Sequence, residues 1–383
     1  MPVIIRIARI KKLVDVPDNR KIHKTPIPAL GGVGVFAGFL LALLLATPIQ
    51  SSNLQYFAAA AFIIFLVGVK DDVVIITPLK KLMGQVAAAF IVVSLANIRL
   101  MSFHGIFGIG ELPYPVSLLL SYFAVILVIN AFNLIDGVDG LAGTLGVVSS
   151  LVFGLYFYFA HETLYAVMGL SLVGALGAFL VFNYTPAKIF MGDTGSMLVG
   201  LVNAILVLHF IHVADAPDSV VPIASAPIVA LTVLSVPLFD TLRVFTIRIV
   251  LHRRSPFSPD RNHIHHLLLD CGFSHPAVTF TLVAYNLLLI GAAFALRAEG
   301  NYLVLAGVLV SNLSFTGMIA FFRQPRRPFV VMKHVGAPLI APPPDGALLE
   351  VAPVAQVSGA QHAPKAGVMV PAPLHPILTM EEE

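Results

Sequence analysis

The chain of 383 residues is 58% apolar and only 11% charged, with a formal net charge of +3 and a mean hydropathy of +0.91. Soluble domains carry about 25% charged residues, so this composition excludes an ordinary soluble globular protein and points to a chain that crosses a membrane many times. A single cysteine, Cys271, excludes an internal disulfide, and the basic stretch Met1–Lys24 does not read as a signal peptide.

Residues 1–32 read as a basic N-terminal segment that ends in a first polar stretch, Lys24–Gly32 (KTPIPALGG). Two stretches free of Asp, Glu, Lys and Arg follow, 33–49 and 54–69, joined by a polar turn at Gln50–Asn53. Each approaches the roughly 20 residues that a helix needs to cross about 30 Å of hydrocarbon. Asp71 and Asp72 close the second one. Adjacent carboxylates at a membrane interface need water, a cation or a metal ion; a solvated helix end paired with Lys70, Lys80 or Lys81 is the plainer account.

Stretches 82–98 and 115–132 lead to Asn133–Gly140 (NLIDGVDG). Asp136 and Asp139 share a face if that segment turns helical, and Gly137 and Gly140 let the backbone bend toward a ligand. Capping of the next helix by Asp is the alternative. Stretches 141–160 and 164–182 lead to Asn183–Ser196 (NYTPAKIFMGDTGS). Asp193 there precedes an apolar helix whose N-terminus attracts phosphate, with Thr194 or Ser196 as its cap. Asn183, Lys188 and Phe190 offer an amide, a cation and a stacking face.

Stretches 196–213 and 221–239 precede the longest polar loop, 240–276, which holds Asp260–Asp270 (DRNHIHHLLLD). His263, His265 and His266 lie beside Arg261 and Asn262, with Arg243, Arg248, Arg253 and Arg254 upstream. This is a basic cradle for a polyanion; zinc is an alternative, although no Cys stands close by. Stretches 277–296 and 301–322 complete the spans, and 323–383 holds eleven of the 27 prolines and reads as a disordered tail.

The expected fold is all-α, with about ten transmembrane helices in a catalytic domain over 33–322. Gly34, Gly38, Gly174 and Gly177 are the expected close helix contacts. Alternating sides from an internal N-terminus places all five polar segments on one face. Every one of the 23 Lys and Arg falls on that face except Arg99 and Arg297, which makes it cytoplasmic. Clustered aspartates and cations at one membrane face suit a Mg²⁺-dependent reaction on a diphosphate, with Mn²⁺ as the substitute ion.

The motifs RKIHKTPIPALGG, GVKDD, NAFNLIDGVDGLAG, FNYTPAKIFMGDTGS and SPDRNHIHHLLL follow one another over about residues 20–296. In this the chain resembles the polyprenyl-phosphate N-acetylhexosamine-1-phosphate transferases, the membrane superfamily that also holds the phospho-MurNAc-pentapeptide transferase of peptidoglycan synthesis. The resemblance implies a multi-pass enzyme of the bacterial inner membrane. A polyprenyl (undecaprenyl) phosphate attacks the sugar-bearing phosphorus of a UDP-sugar, and UMP leaves. It implies Asp193 as a Mg²⁺ ligand, and Asp71 and Asp72 as catalytic carboxylates near the lipid phosphate. It places Asn133, Asp136, Asp139, Asn183 and Phe190 in the nucleotide pocket, His263, His265 and His266 on the sugar diphosphate, and Lys24 on phosphate. The HxHH form looks like the UDP-GlcNAc branch, whose products prime O-antigen, teichoic acid and related glycans. Members usually carry another spanning helix before KTPIPALGG. No nucleic-acid partner is implied, and a homodimer is compatible. The rival from another class, a transporter, leaves the concentration of Asp and His in the loops unexplained.

Overall fold

The computed structural model describes residues 1–11, 13–15, 26–48, 51, 53–74, 76–216, 218–251, 253, 255 and 262–323; Lys24, Arg254, Asp260, Arg261 and the Pro-rich tail beyond Arg323 lie outside them. Among the described residues the regular elements are helices, apart from a two-residue antiparallel pair, β1 (Val14–Asp15) and β2 (Ile27–Pro28). The helices are α1 (Pro2–Ile10), α2 (Gly31–Ala46), α3 (Leu54–Val73), α4 (Pro78–Phe90, continued as a π-helix through Leu95), α5 (Tyr114–Ile135), α6 (Leu141–Phe159), α7 (Thr163–Asn183), α8 (Gly192–Ala214), α9 (Ala226–Val233), α10 (Ser235–Thr246, continued through Leu251), α11 (Ile264–Asp270), α12 (His275–Leu296) and α13 (Asn301–Phe322).

Among the described residues seven helices are long and apolar enough to span a bilayer: α4 with its extension, α5, α6, α7, α8, α12 and α13. A bent pair, taken as one span, would make eight, so the expected count of about ten is not confirmed. Helix α2 has 16 residues, and α3 runs on past its apolar part to include Lys70, Asp71 and Asp72. The stretch 221–239 is not one straight span: α9 and α10 meet at an 82° bend. Two further boundaries move. Pro78 opens α4, as proline does in a first helical turn, so Lys80 and Lys81 sit on a helix and not in a loop. A short helix, α1, occupies part of the N-terminal segment.

Helix α8 is the centre of the bundle. It is apolar all round, as a fully buried helix must be, and 83% of its span is buried, against 22% for the peripheral α13. Helices α2, α3, α5, α6, α7 and α9 pack against it. Close approach is achieved where side chains vanish. Gly200 of α8 lies against the backbone of Ile129 in α5, and Gly169 of α7 lies against Gly154 of α6. Of the glycines expected to do this, Gly38 of α2 lies against Ala175 of α7, whereas Gly174 and Gly177 face open space and Gly34 meets the side chain of Met1.

The bend in the broken span has a sequence cause. Pro237 has no N–H to give the carbonyl of Val233, one turn earlier. Asn286 of α12 replaces it: its Nδ2 donates to Val233 O at 3.1 Å and its Oδ1 accepts from Val236 N–H at 3.3 Å. Asn312 of α13 donates to Ser235 Oγ at 2.8 Å. Within a bilayer such freed backbone groups must be satisfied by protein. Asn286→Leu should therefore strand one carbonyl and one amide, at about 1–3 kcal/mol for each group. The expected result is a clearly lowered thermal midpoint in detergent; an unchanged midpoint would show that the bend does not depend on Asn286.

Candidate active site at the start of the central helix

The polar segments meet at the N-terminal end of α8. Its first backbone N–H groups lack partners inside their own helix. Thr194 and Ser196, the expected caps, do not supply them. The cap comes from α3: Asp72 Oδ1 accepts from Asp193 N–H at 2.7 Å and Asp72 Oδ2 accepts from Thr194 N–H at 3.1 Å. The Thr194 hydroxyl also donates to Asp72 Oδ2. Ser196 instead donates to Gly192 O at 2.9 Å and accepts from Asn133 Nδ2 at 2.9 Å. Gly68, one turn before Asp72, lets the α3 backbone touch that of Thr194, where a Cβ would collide. Gly192, at φ +68°, turns the chain into α8 and leaves room for the Asp72 carboxylate.

This cap fixes Asp193. Its Oδ1 accepts from Asn133 Nδ2 at 2.7 Å, and its Oδ2 receives the ammonium of Lys81. Lys81 also reaches Asn133 Oδ1 at 3.1 Å and Asp71 Oδ2 at 3.3 Å. Asp71 is steadied from its other oxygen, Oδ1, which accepts from Ile76 N–H at 2.9 Å. Four helices (α3, α4, α5 and α8) thus each place a polar group at one spot. Lys81, expected only as a counter-ion, is an integral member; the signal was its position on the first turns of a Pro-initiated helix, close in sequence to Asp71 and Asp72.

The NLIDGVDG segment closes one side. Helix α5 ends at Ile135 and the rest of the segment is a turn, so Asp136 and Asp139 do not share a helical face. Part of Asp136 reaches solvent. Protein packed around its carboxyl, and then the charges of Asp193, Asp72 and Asp139, push it up to about 8. Burial also opposes ionisation of Asp139, but bonds from His275 and Thr185 outweigh it and hold the carboxyl below its usual range. Asn183 is 4% exposed. Its Oδ1 accepts from Gly140 N–H at 2.8 Å and its Nδ2 donates to Ile189 O at 2.9 Å. It therefore ties two polar segments together, with its amide already committed to backbone. Phe190 is half-buried, and its backbone pairs with Pro28 and Gly31, which docks the end of KTPIPALGG onto the site.

The histidines arrive from α11 and the residue before it. His263 and His265 are buried, at 4% and 1% exposure, while His266 keeps partial exposure. The rings form a staircase: His263 and His265 lie 5.7 Å apart and nearly parallel, and His265 and His266 are 4.3 Å apart. The His265 ring packs over Gly137, where no side chain interferes. Burial, and then the neighbouring His266, push its imidazole down to about 3, so it stays neutral at pH 7. Sequence reasoning missed Asp240, a buried carboxylate bonded to His263 Nδ1 at 2.8 Å; its one signal was a lone acid just past an apolar stretch.

Oxygen donors with an ammonium among them fit a hard divalent cation. The ammonium of Lys81 pairs with both Asp71 and Asp193, and two carboxylates brought together in this way favour a cation between them. Mg²⁺ commonly takes one or two carboxylates and fills its remaining positions with phosphate and water. Among the described residues no group of three or more His, Cys, Asp and Glu is arranged to enclose a metal ion.

Residues 54–211 match the profile of glycosyl transferase family 4. The chain is 33% identical over 323 residues to the undecaprenyl-phosphate alpha-N-acetylglucosaminyl 1-phosphate transferase of Escherichia coli (strain K12), covering 83% of this chain and 84% of that one. The Salmonella typhi protein of the same name is 34% identical over 319 residues, covering 81% and 82%. A Bacillus subtilis (strain 168) protein, named probable undecaprenyl-phosphate N-acetylglucosaminyl 1-phosphate transferase, is 32% identical over 303 residues, covering 78% and 79%.

Proposed function

The chain belongs to glycosyl transferase family 4, and we propose that it transfers N-acetylglucosamine 1-phosphate from UDP-GlcNAc to undecaprenyl phosphate, releasing UMP and forming the lipid-linked first intermediate of an envelope glycan. It is a multi-pass membrane enzyme. The observation that carries the reading is the cluster Asp71–Lys81–Asn133–Asp193, held at the start of α8 by Asp72. Such a set suits phosphate oxygens and their counter-cation, and each of its members lies near a helix end.

Asp71 and Asp193 would hold Mg²⁺; when bound, the ion neutralises diphosphate charge and eases departure of UMP. Lys81 pairs with an acceptor or donor phosphate oxygen. Asn133 keeps the Asp193 carboxylate aimed, through Nδ2 on Oδ1. Asp72 spends both oxygens on the backbone of α8, so its work is to place Asp193. A phosphate monoester has a second pKa near 6, so the lipid phosphate is already largely a dianion at pH 7. One of its oxygens forms the new bond to the sugar-bearing phosphorus, the bond to UMP breaks, and UMP leaves with the electron pair. Asp71 therefore acts as an organising group. Asp136 and Asp139, with His266, line the donor side.

The distribution of Lys and Arg supports a cytoplasmic position for this site. A cysteine replacing exposed Lys188 should resist a membrane-impermeant thiol reagent in intact cells, and one replacing exposed His161 should react; the reverse pattern would invert the topology. Membranes given Mg²⁺, undecaprenyl phosphate and UDP-GlcNAc should release UMP, and chelation should stop it. Asp193→Asn keeps size but loses charge and should cost about three powers of ten in rate at equal expression. Turnover of UDP-MurNAc-pentapeptide in place of UDP-GlcNAc would overturn the substrate, and near-normal Asp193→Asn would remove that residue from the ion.

A further inference from the structure

One buried side chain organises the whole histidine segment. Asp240 of α10 is 2% exposed, yet four bonds converge on it or on its immediate partner. Its Oδ2 accepts from His263 Nδ1 at 2.8 Å, and its Oδ1 accepts from Ile264 N–H at 2.8 Å and from Arg243 Nη2 at 2.7 Å. Arg243 also donates to Asn262 O, so the chain just before His263 is held by the same pair. The first amide of α11 is thus satisfied by a carboxylate from another helix, as Asp72 does for α8.

The tautomer of His263 follows from its two neighbours. A carboxylate can only accept, so Nδ1 carries the proton. On the other side Arg248 Nη2 lies 3.4 Å from His263 Nε2. A guanidinium can only donate, so Nε2 presents its lone pair. Both ring nitrogens are then committed to protein. His263 is left with no polar atom for a substrate, and His265 is buried over Gly137. Of the three rings His266 is the one that is not buried.

A buried carboxylate is costly, and an apolar replacement of similar shape is often neutral or stabilising. Stability alone therefore does not account for Asp240. We infer that Asp240 is a positioning residue for the donor: it locks His263 as the Nδ1–H tautomer and anchors the first turn of α11, so that His266 is the histidine presented to the sugar diphosphate. This rests on the transferase reading above and adds a division of labour within the HxHH segment, with His263 as scaffold and His266 as ligand.

The tautomer can be read without turnover. In protein labelled with ¹⁵N-histidine, and with the His263 signals assigned by their loss in His263→Gln, the wild-type ring should show a protonated Nδ1 and a bare Nε2. A protonated Nε2 with a bare Nδ1 would overturn the inference. Kinetics then separate positioning from folding. Asp240→Asn should raise the KM for UDP-GlcNAc about tenfold and leave the KM for undecaprenyl phosphate within about twofold. Asp240→Glu should restore part of the loss. His266→Ala should raise the donor KM as well, and adding Asp240→Asn to it should give much less than the product of the two effects. Asn312→Ala, which loosens α10 at its opposite end, should lower the yield of folded protein and leave donor KM in place. A donor KM unmoved by Asp240→Asn, an equal rise for both substrates, or the same rise in Asn312→Ala would each reduce Asp240 to a fold residue. Wild-type protein that shows the Nδ1–H ring but releases no UMP from UDP-GlcNAc would instead count against the transferase reading.

Discussion

The carboxylate of Asp72 on the first amides of the central helix is the interaction on which the rest of the site depends. A helix buried on all sides begins with N–H groups that neither its own backbone nor water satisfies. Leaving a buried donor unmade costs about 1–3 kcal/mol, and the positive end of the helix adds its own preference for an anion. Asp72 meets both demands from a different helix. The consequence is geometric: the residue whose amide is gripped is Asp193, so the same bond that completes α8 aims the carboxylate nearest to Lys81. Gly68 and Gly192 exist at the two places where any side chain would push this contact apart.

A carboxylate from one helix on the first amide of another recurs at Asp240, and the two sites differ in what they hold. Asp72 steadies charged groups that meet phosphate and a cation. Asp240 steadies rings that are themselves mostly out of reach. Both depend on helices brought together by the bundle, and the second depends further on the broken span. The 82° bend redirects α10 away from the line of α9, and α10 carries Asp240, Arg243 and Arg248. Asn286 makes that bend tolerable at membrane depth by taking over the Val233 carbonyl that Pro237 leaves open and by accepting from Val236 N–H, while Asn312 ties the start of α10 to α13 through the Ser235 hydroxyl. Fold and chemistry are linked through these few polar contacts in an otherwise apolar interior.

Much of this was legible in the chain. The uncharged stretches mark the long helices well, because a bilayer demands length and apolarity and little else. The polar segments were recognisable as one site because a regular alternation of sides leaves them no other face. What escaped were relations between helices. Hydropathy marks 221–239 as apolar but is silent about a bend, whose cause is one proline and whose freed carbonyl is met by an asparagine far along the chain. Thr194 and Ser196 look like caps for α8 when only local sequence is considered, whereas the partner lies more than a hundred residues earlier. Asn183 has the chemistry of a nucleotide ligand, yet its amide joins Gly140 to Ile189. Asp240 was overlooked, and Lys81 was read only as a counter-ion, for the same reason: each is an isolated charge in sequence and a hub in space.

The central claim, that Asp72 acts by holding the start of α8, is tested most directly by hydrogen exchange of the peptide spanning Phe190–Met197 in Asp72→Asn and Asp71→Asn proteins. Loss of a helix cap is worth about 1–2 kcal/mol, which corresponds to roughly tenfold faster opening of the amides it protects. The account predicts that acceleration at Asp193 and Thr194 in Asp72→Asn, and protection close to wild type in Asp71→Asn. Unchanged exchange in Asp72→Asn, or equal acceleration in both variants, would contradict it.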